Sequence, residues 1–195
     1  MAKRMAWKEG DWVSLRLRDG LYTVGRMARS SIMRFHDVSS RDGVWSVPEL
    51  DEAPILFSGF VGRDVVQRLT VDKLPPARPL VLSDHERYWL RPHVNFEGGF
   101  PFKGAELIDI GRDCAADYSL VPPLRKQLKP AKDRDIIERR ELTNMWGSED
   151  VSDRLCRYFD TGLDRDDLKF EVFPGLWTDR EMLRPLTRRL PAPFR

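Results

Sequence analysis

Three histidines and two cysteines leave little material for a metal centre in a chain of 195 residues. A zinc site wants His and Cys in close pairs. Cys114 and Cys156 stand far apart, and His36, His85 and His93 have no second ligand at such spacing. No metal and no cofactor are therefore expected. The two isolated thiols suit a reduced compartment. No apolar run has the length needed to span a bilayer. The charged stretch from Met1 to Trp12 lacks the apolar core of a secretory signal. A cytoplasmic protein with no membrane partner is the expectation.

An excess of one charge is missing too. Thirty-three basic and 31 acidic residues leave a formal net charge of +2, with the two signs interleaved. Proteins that grip phosphates concentrate basic residues on one face, so nucleic acid is not the expected partner. Nor is the chain an acidic mimic of DNA. What is present is 41% hydrophobic and 33% charged residues, the balance of a packed domain with a highly charged surface.

The first segment has the period of strands. After the turn Glu9-Gly10-Asp11, Trp12 to Arg18 alternates apolar with polar residues. Asp19-Gly20 is a hairpin dipeptide, since its glycine accepts positive φ. Leu21 to Met27 then runs back as the partner strand. Ile32 to Val38 predicts a third strand, Val44 to Val47 a short extended piece, and Ile55 to Val61 a buried strand. Asp64 to Leu69 has room for one or two helical turns. Short antiparallel strands at this spacing predict a small bent sheet, partly barrel-like.

From Leu74 to Pro123, Pro75, Pro76, Pro79, Pro92, Pro101, Pro122 and Pro123 interrupt regular structure. Pro79 to Leu82 and Ala105 to Ile110 predict strands, with an aromatic, glycine-rich surface loop at Asn95 to Phe102 between them. The C-terminal third changes character. Asp133 to Trp146 has helical spacing, and Ser148 is placed to cap a second helix. Its Val151, Leu155, Tyr158 and Phe159 form one stripe that ends at Gly162. Lys169 to Phe173 is a possible strand, and Thr178 with Glu181 has capping-box spacing. The tail to Arg195 is either an arm over the body or disordered chain. The expected architecture is an α+β domain over residues 1–162, a bent antiparallel sheet carrying two C-terminal helices. Residues 163–195 form an extension or arm.

Templates for catalysis fit poorly. His36-Asp37 beside Ser39 and Ser40 suggests a hydrolase, yet adjacent residues of a strand point to opposite faces. No Gly-x-Ser-x-Gly elbow occurs. Gly98-Gly99 is followed by Phe100-Pro101-Phe102 and not by the Lys-Ser/Thr of a phosphate loop. His85-Glu86 with His93 and Asn95 has the spacing of metal-dependent nucleases only in part. Glu106, Asp109 and Asp113 near Lys103 suggest a carboxylate nuclease, but Glu106 and Asp109 alternate across a strand. No catalytic residue is assigned, and the chain is expected not to be an enzyme.

Two blocks carry a family resemblance. Lys8-Glu9-Gly10-Asp11-Trp12-Val13-Ser14-Leu15 continues through Asp19-Gly20-Leu21-Tyr22-Thr23-Val24-Gly25-Arg26-Met27. Glu138-Arg139-Arg140-Glu141-Leu142 with Trp146 is followed by Val151 to Phe159 and Gly162. In this order they resemble the opening hairpin and closing helices of the immunity protein twenty-six family of bacterial polymorphic toxin systems. Ile55-Leu56-Phe57 stands where that family has a strand, and the proline-rich middle departs from the pattern. The resemblance implies an antitoxin that binds a cognate toxin domain and has no catalytic residues.

Three functions are carried forward. In the first, the chain blocks a toxin domain by steric occlusion. Phe96, Phe100 and Phe102 are its candidate anchors, with Trp45 or Trp89 as alternatives. Glu49, Asp51 and Glu52, or Asp164, Asp166 and Asp167, are candidate contacts to a basic toxin. In the second, the chain is an SH3-like adaptor or nucleic-acid-binding module, suggested by the hairpin and the arginine-rich tail. In the third it is an enzyme, a nuclease, with a site assembled from His36, His85, His93, Glu106 and Asp109. The toxin's identity and the oligomeric state are left open.

Overall fold

The computed structural model describes residues 6–29, 31–76, 78–93, 103–111 and 117–178. The fold is α+β, and among the described residues eight strands form two antiparallel sheets, with helices between and after them. Contacts divide the chain into two compact units, each made of two separated stretches. Residues 1–82 with 145–164 form one, and residues 83–144 with 165–195 form the other.

The first unit is built on the expected hairpin. β1 (Trp12–Arg18) and β2 (Leu21–Met27) pair antiparallel through the Asp19-Gly20 turn, where Gly20 has a φ of +69°. β3 (Ile32–Ser40) and β4 (Ile55–Phe60) continue the meander, with the one-turn helix α1 (Val47–Leu50) between them. After α2 (Arg63–Leu69), β5 (Thr70–Leu74) returns beside β1, so the strand order is β4-β3-β2-β1-β5. The sheet does not close into a barrel. Val47 opens a helix rather than a strand, because Pro48 is pre-set for a first helical turn. β5 has no clean alternation in Thr70-Val71-Asp72-Lys73-Leu74, and only its pairing with β1 makes it a strand. Pro79 to Leu82, expected as a strand, is irregular chain.

The alternation of β1 puts Val13 and Leu15 on one face of the sheet. They join Met27, Met33 and Phe35 there, with Phe57 of β4, against α2 and α5 (Ser148–Thr161). Val65 and Leu69 of α2 and Val151 and Leu155 of α5 complete this core, with Trp146 just before α5. Each such side chain contributes roughly 1.5–3 kcal/mol on burial. Trp146 is tied to β4 by backbone bonds: its N–H donates to Phe60 at 2.7 Å and its carbonyl accepts from Gly62 at 2.8 Å. Ser148 is the first helical residue of α5, and Gly147 occupies the cap position expected for it. Asp64 serves the helix start instead, accepting from the Ser148 N–H at 2.7 Å. Gly162 ends the helix with a φ of +74°.

The second unit has its own core. α3 (Asp84–Arg87) leads into β6 (Tyr88–Pro92), which pairs with β7 (Ala105–Asp109) and through it with β8 (Pro123–Arg125). A single 3-10 turn, Tyr118–Leu120, precedes β8. α4 (Pro130–Arg139) stops before the predicted end at Trp146. Glu141 to Thr143 then lies extended along β6, where Leu90 exchanges two backbone bonds with them, at 2.9 and 3.0 Å. Lys169 to Phe173, read as a possible strand, belongs to the helix α6 (Leu168–Val172), whose first N–H is taken up by Asp166 Oδ1. Leu90, Ala105, Leu128, Ile137, Leu142, Leu168, Val172, Phe173 and Leu176 make the core. Chain beyond residue 162 therefore supplies buried apolar side chains to this unit. The predicted cap at Thr178 and Glu181 and the tail to Arg195 extend beyond the described residues. No described helix is long and apolar enough to cross a membrane.

Candidate functional site

Titratable side chains gather on the face of the five-stranded sheet away from α2 and α5. Alternation places Trp12 and Ser14 of β1, Val24 and Arg26 of β2, and Arg34 and His36 of β3 on this side. Trp12, Arg26, Arg34 and His36 are all buried. Arg26 and Arg34 are direct cross-strand partners, an arrangement that like charges disfavour unless something offsets it.

The offset comes from chain laid over the sheet. Arg26 donates to Asp51 Oδ1 at 3.0 Å, to the Gly10 carbonyl at 3.2 Å and to the carbonyl of Arg78. Its guanidinium also sits 5.0 Å from the Trp12 ring centre. Burial pushes the Arg26 pKa down, and the Asp51 charge opposes that shift. Arg34 donates to the Val81 carbonyl at 2.9 Å. His36 Nδ1 lies 2.9 Å from the Ala53 carbonyl, which sets the proton on that nitrogen, and its ring is 4.6 Å from Trp12. Trp45 covers the edge, donating to Ser14 Oγ at 2.8 Å. These bonds hold α1, Ala53 and residues 78–81 onto the strands. The cluster is rich in donors, and they meet protein carbonyls, the Asp51 carboxylate and the Ser14 hydroxyl, the arrangement of a clasp.

The residues weighed for catalysis are dispersed. His36 is buried, whereas Asp37 on the opposite face is exposed and faces Tyr158, whose pKa burial and Asp37 together raise to about 12. Glu106 is bound by Arg91 of the neighbouring strand at 2.6 Å. Asp109 is held in a two-pronged pair by Arg87, at 2.9 and 2.6 Å, which keeps its carboxyl below the usual range. His93 Nε2 meets the Lys126 carbonyl at 3.1 Å, and His85 lies within α3. No group of three His, Cys, Asp or Glu among the described residues could hold a metal ion. Asn95, Gly98, Gly99, Asp113 and Cys114 lie outside the described residues.

The candidate toxin contacts fare unevenly. Phe96, Phe100 and Phe102 lie outside the described residues. Trp89 is fully buried and donates to the Glu86 carbonyl at 2.9 Å, so it is no surface anchor. Trp45 is half-buried against Ser14. Glu49 is exposed. The Asp51 side chain is 3% exposed and committed to Arg26, while Glu52 is exposed and paired with Arg78. Asp164 accepts from Arg154 at 2.6 Å. Asp166 is buried at the start of α6, with Asp167 half-buried beside it. Of the six carboxylates, Asp51, Glu52, Asp164 and Asp166 thus have partners within the protein. The buried arginines went unforeseen, though a signal existed: Arg26 and Arg34 occupy strand positions whose neighbours at spacing two are apolar or aromatic.

An α+β protein of two compact units with a clasp of buried arginines is the class these features define. Residues 2–178 match a family described as a domain of unknown function (DUF8309), and the chain belongs to that family. Neither a curated protein nor a solved structure matches it.

Proposed function

We propose that this chain is an immunity protein that acts in the cytoplasm, binding the toxin domain of a bacterial polymorphic toxin system and blocking it by steric occlusion. One observation carries the reading beyond the sequence blocks themselves. The hairpin of the first block and the helix of the second, more than a hundred residues apart, share one core. Val13, Leu15 and Met27 pack with Trp146, Val151 and Leu155. Ser152 Oγ donates to the Leu17 carbonyl at 3.2 Å, and Arg18 forms a two-pronged pair with Asp160 at 2.7 and 2.5 Å. The hairpin and the Trp146 to Gly162 part of the second block thus pack together, while Leu142 of that block belongs to the other core. Co-expression with the toxin domain encoded beside the gene tests the proposal. Growth should be restored and the two proteins should co-elute; growth arrest with no complex sinks it.

A second reading draws on the strand order. A four-strand meander whose fifth strand returns across a short helix to pair with the first is the order of SH3-like barrels, here left open. An adaptor or nucleic-acid-binding module built on it would bind RNA or DNA with steep salt dependence. Binding to nucleic acid that is unchanged by salt, or absent, removes this alternative.

A further inference from the structure

The near-neutral total charge hides a local imbalance in the second unit. Between Asp117 and Asp133 the chain carries Arg125, Lys126, Lys129 and Lys132 and no acid. All four cations are exposed. Arg125 is paired with Asp133 at 2.7 Å, while no ion pair of Lys126, Lys129 or Lys132 occurs among the described residues. The same stretch displays Leu120 and Leu124, exposed to 81% and 60%.

Topology explains why this ridge stands open. Among the described residues β8 is an edge strand, joined to the sheet through β7. The opposite edge, β6, is covered by Glu141 to Thr143. Lysine and proline at an edge ordinarily blunt it against chance pairing, and Pro122, Pro123 and Lys126 do that here. Blunting gives no reason to present two leucines four residues apart in the same stretch. Exposed apolar side chains in one stretch with exposed cations are the composition of a docking surface.

We propose that the exposed stretch from the 3-10 turn through β8 to the first turn of α4, residues 119–132, is the protein's docking surface for an acidic face of a partner protein. Leu120 and Leu124 enter apolar ground there, and Lys126, Lys129 and Lys132 meet carboxylates. Charge complementarity selects this occupant. Residues 179–195, with five arginines against Asp179 and Glu181, do not offer that complementary charge. Nucleic acid fits less well because the ridge offers leucines and no aromatic side chain on which bases stack. This deepens the immunity reading, on which the identity of the partner as a toxin domain rests. It also reverses the expected sign: the partner's contact face is acidic, whereas Asp51, Asp164 and Asp166 are spent inside the protein.

Two titrations of the full chain test the surface. In the first, the toxin domain encoded beside the gene is titrated into wild type, Leu120→Ser/Leu124→Ser, and Lys126→Glu/Lys129→Glu. Each double variant should bind about tenfold or more weakly, and charge reversal should lessen the salt dependence. Wild-type-like binding by both variants overturns the surface and leaves the immunity reading standing. In the second, hydrogen exchange is followed while the chain meets a Glu/Leu peptide, a Lys/Leu peptide or single-stranded RNA. Protection over residues 119–132 by the Glu/Leu peptide alone supports the surface even if no toxin binds, the result that would sink the immunity reading. No protection there, equal protection by the Lys/Leu peptide, or stronger protection by RNA overturns it.

Discussion

The guanidinium of Arg154 lies over the ring of Phe57, 3.6 Å from its centre. It is almost wholly buried, and its Nε donates to Asp164 at 2.6 Å. A planar cation can satisfy both contacts at once; an ammonium group cannot. Arg154→Lys is expected to cost about 2 kcal/mol. Arg154→Ala should cost about 3 kcal/mol, since it strands Asp164 and hollows the core. Urea unfolding should show lower midpoints with unchanged slopes.

The clasp over the other face of the sheet contains the buried ion pair of Arg26 with Asp51. Removing Asp51 leaves Arg26 buried opposite Arg34 with carbonyl partners only. Asp51→Ala should therefore destabilise by about 3–5 kcal/mol. Replacing the cation as well, in Arg26→Met/Asp51→Ala, should recover part of that loss. A double-mutant cycle in thermal or urea unfolding measures the coupling, and purely additive losses would show that the pair is not the clasp.

Trp146 reaches β4 only because residue 59 has no side chain. A Cβ at Gly59 would stand 2.9 Å from Trp146 Cδ1 and 3.1 Å from its Nε1. Trp146 has little room to yield, being held by backbone bonds on both sides. Gly59→Ala is expected to destabilise by about 1–3 kcal/mol. With Trp146→Leu in the background, the penalty for Gly59→Ala should shrink. Chemical unfolding of the four variants provides the comparison.

Acid should weaken each unit through a different ion pair. The hydrogen bonds from Arg18 hold the Asp160 carboxyl below its usual range, and Arg87 does the same for Asp109. A folded pKa lower than the unfolded one gives stability that is complete above the unfolded value of about 4. That contribution disappears as pH falls through the folded value. Arg18→Gln and Asp109→Asn should therefore flatten the acid limb of stability between about pH 2 and 5. Their cost, modest because both pairs are solvent-screened, should be felt at neutral pH and vanish in acid. Unfolding curves across that range decide it.

The hairpin was legible residue by residue, since Trp12 to Met27 carries its period and its turn in local chemistry. The stripe of α5 and its stop at Gly162 were equally plain. β5, β6 and β8 were not, because Thr70 to Leu74 has no clean period and prolines flank or enter the other two. The helix predicted for Asp133 to Trp146 shows the same limit. Its last third has helical spacing, but two strands claim it, β6 bonding to residues 141 and 143 and β4 to Trp146.

The candidate site divides in the same way. Composition and spacing by themselves determined an α+β chain with little metal-ligating material and balanced charge. Sequence also contains the acid-free stretch before Asp133, but as only one of several such stretches. Tertiary structure alone decided which charges are available. It turned Arg26 and Arg34 inward to clasp the sheet, committed Asp51, Asp164 and Asp166 to internal partners, and left Lys126, Lys129 and Lys132 outward between an edge strand and the first turn of α4. The physical reason is that a charge's role depends on its neighbours and its access to water, and both are set by segments distant in the chain.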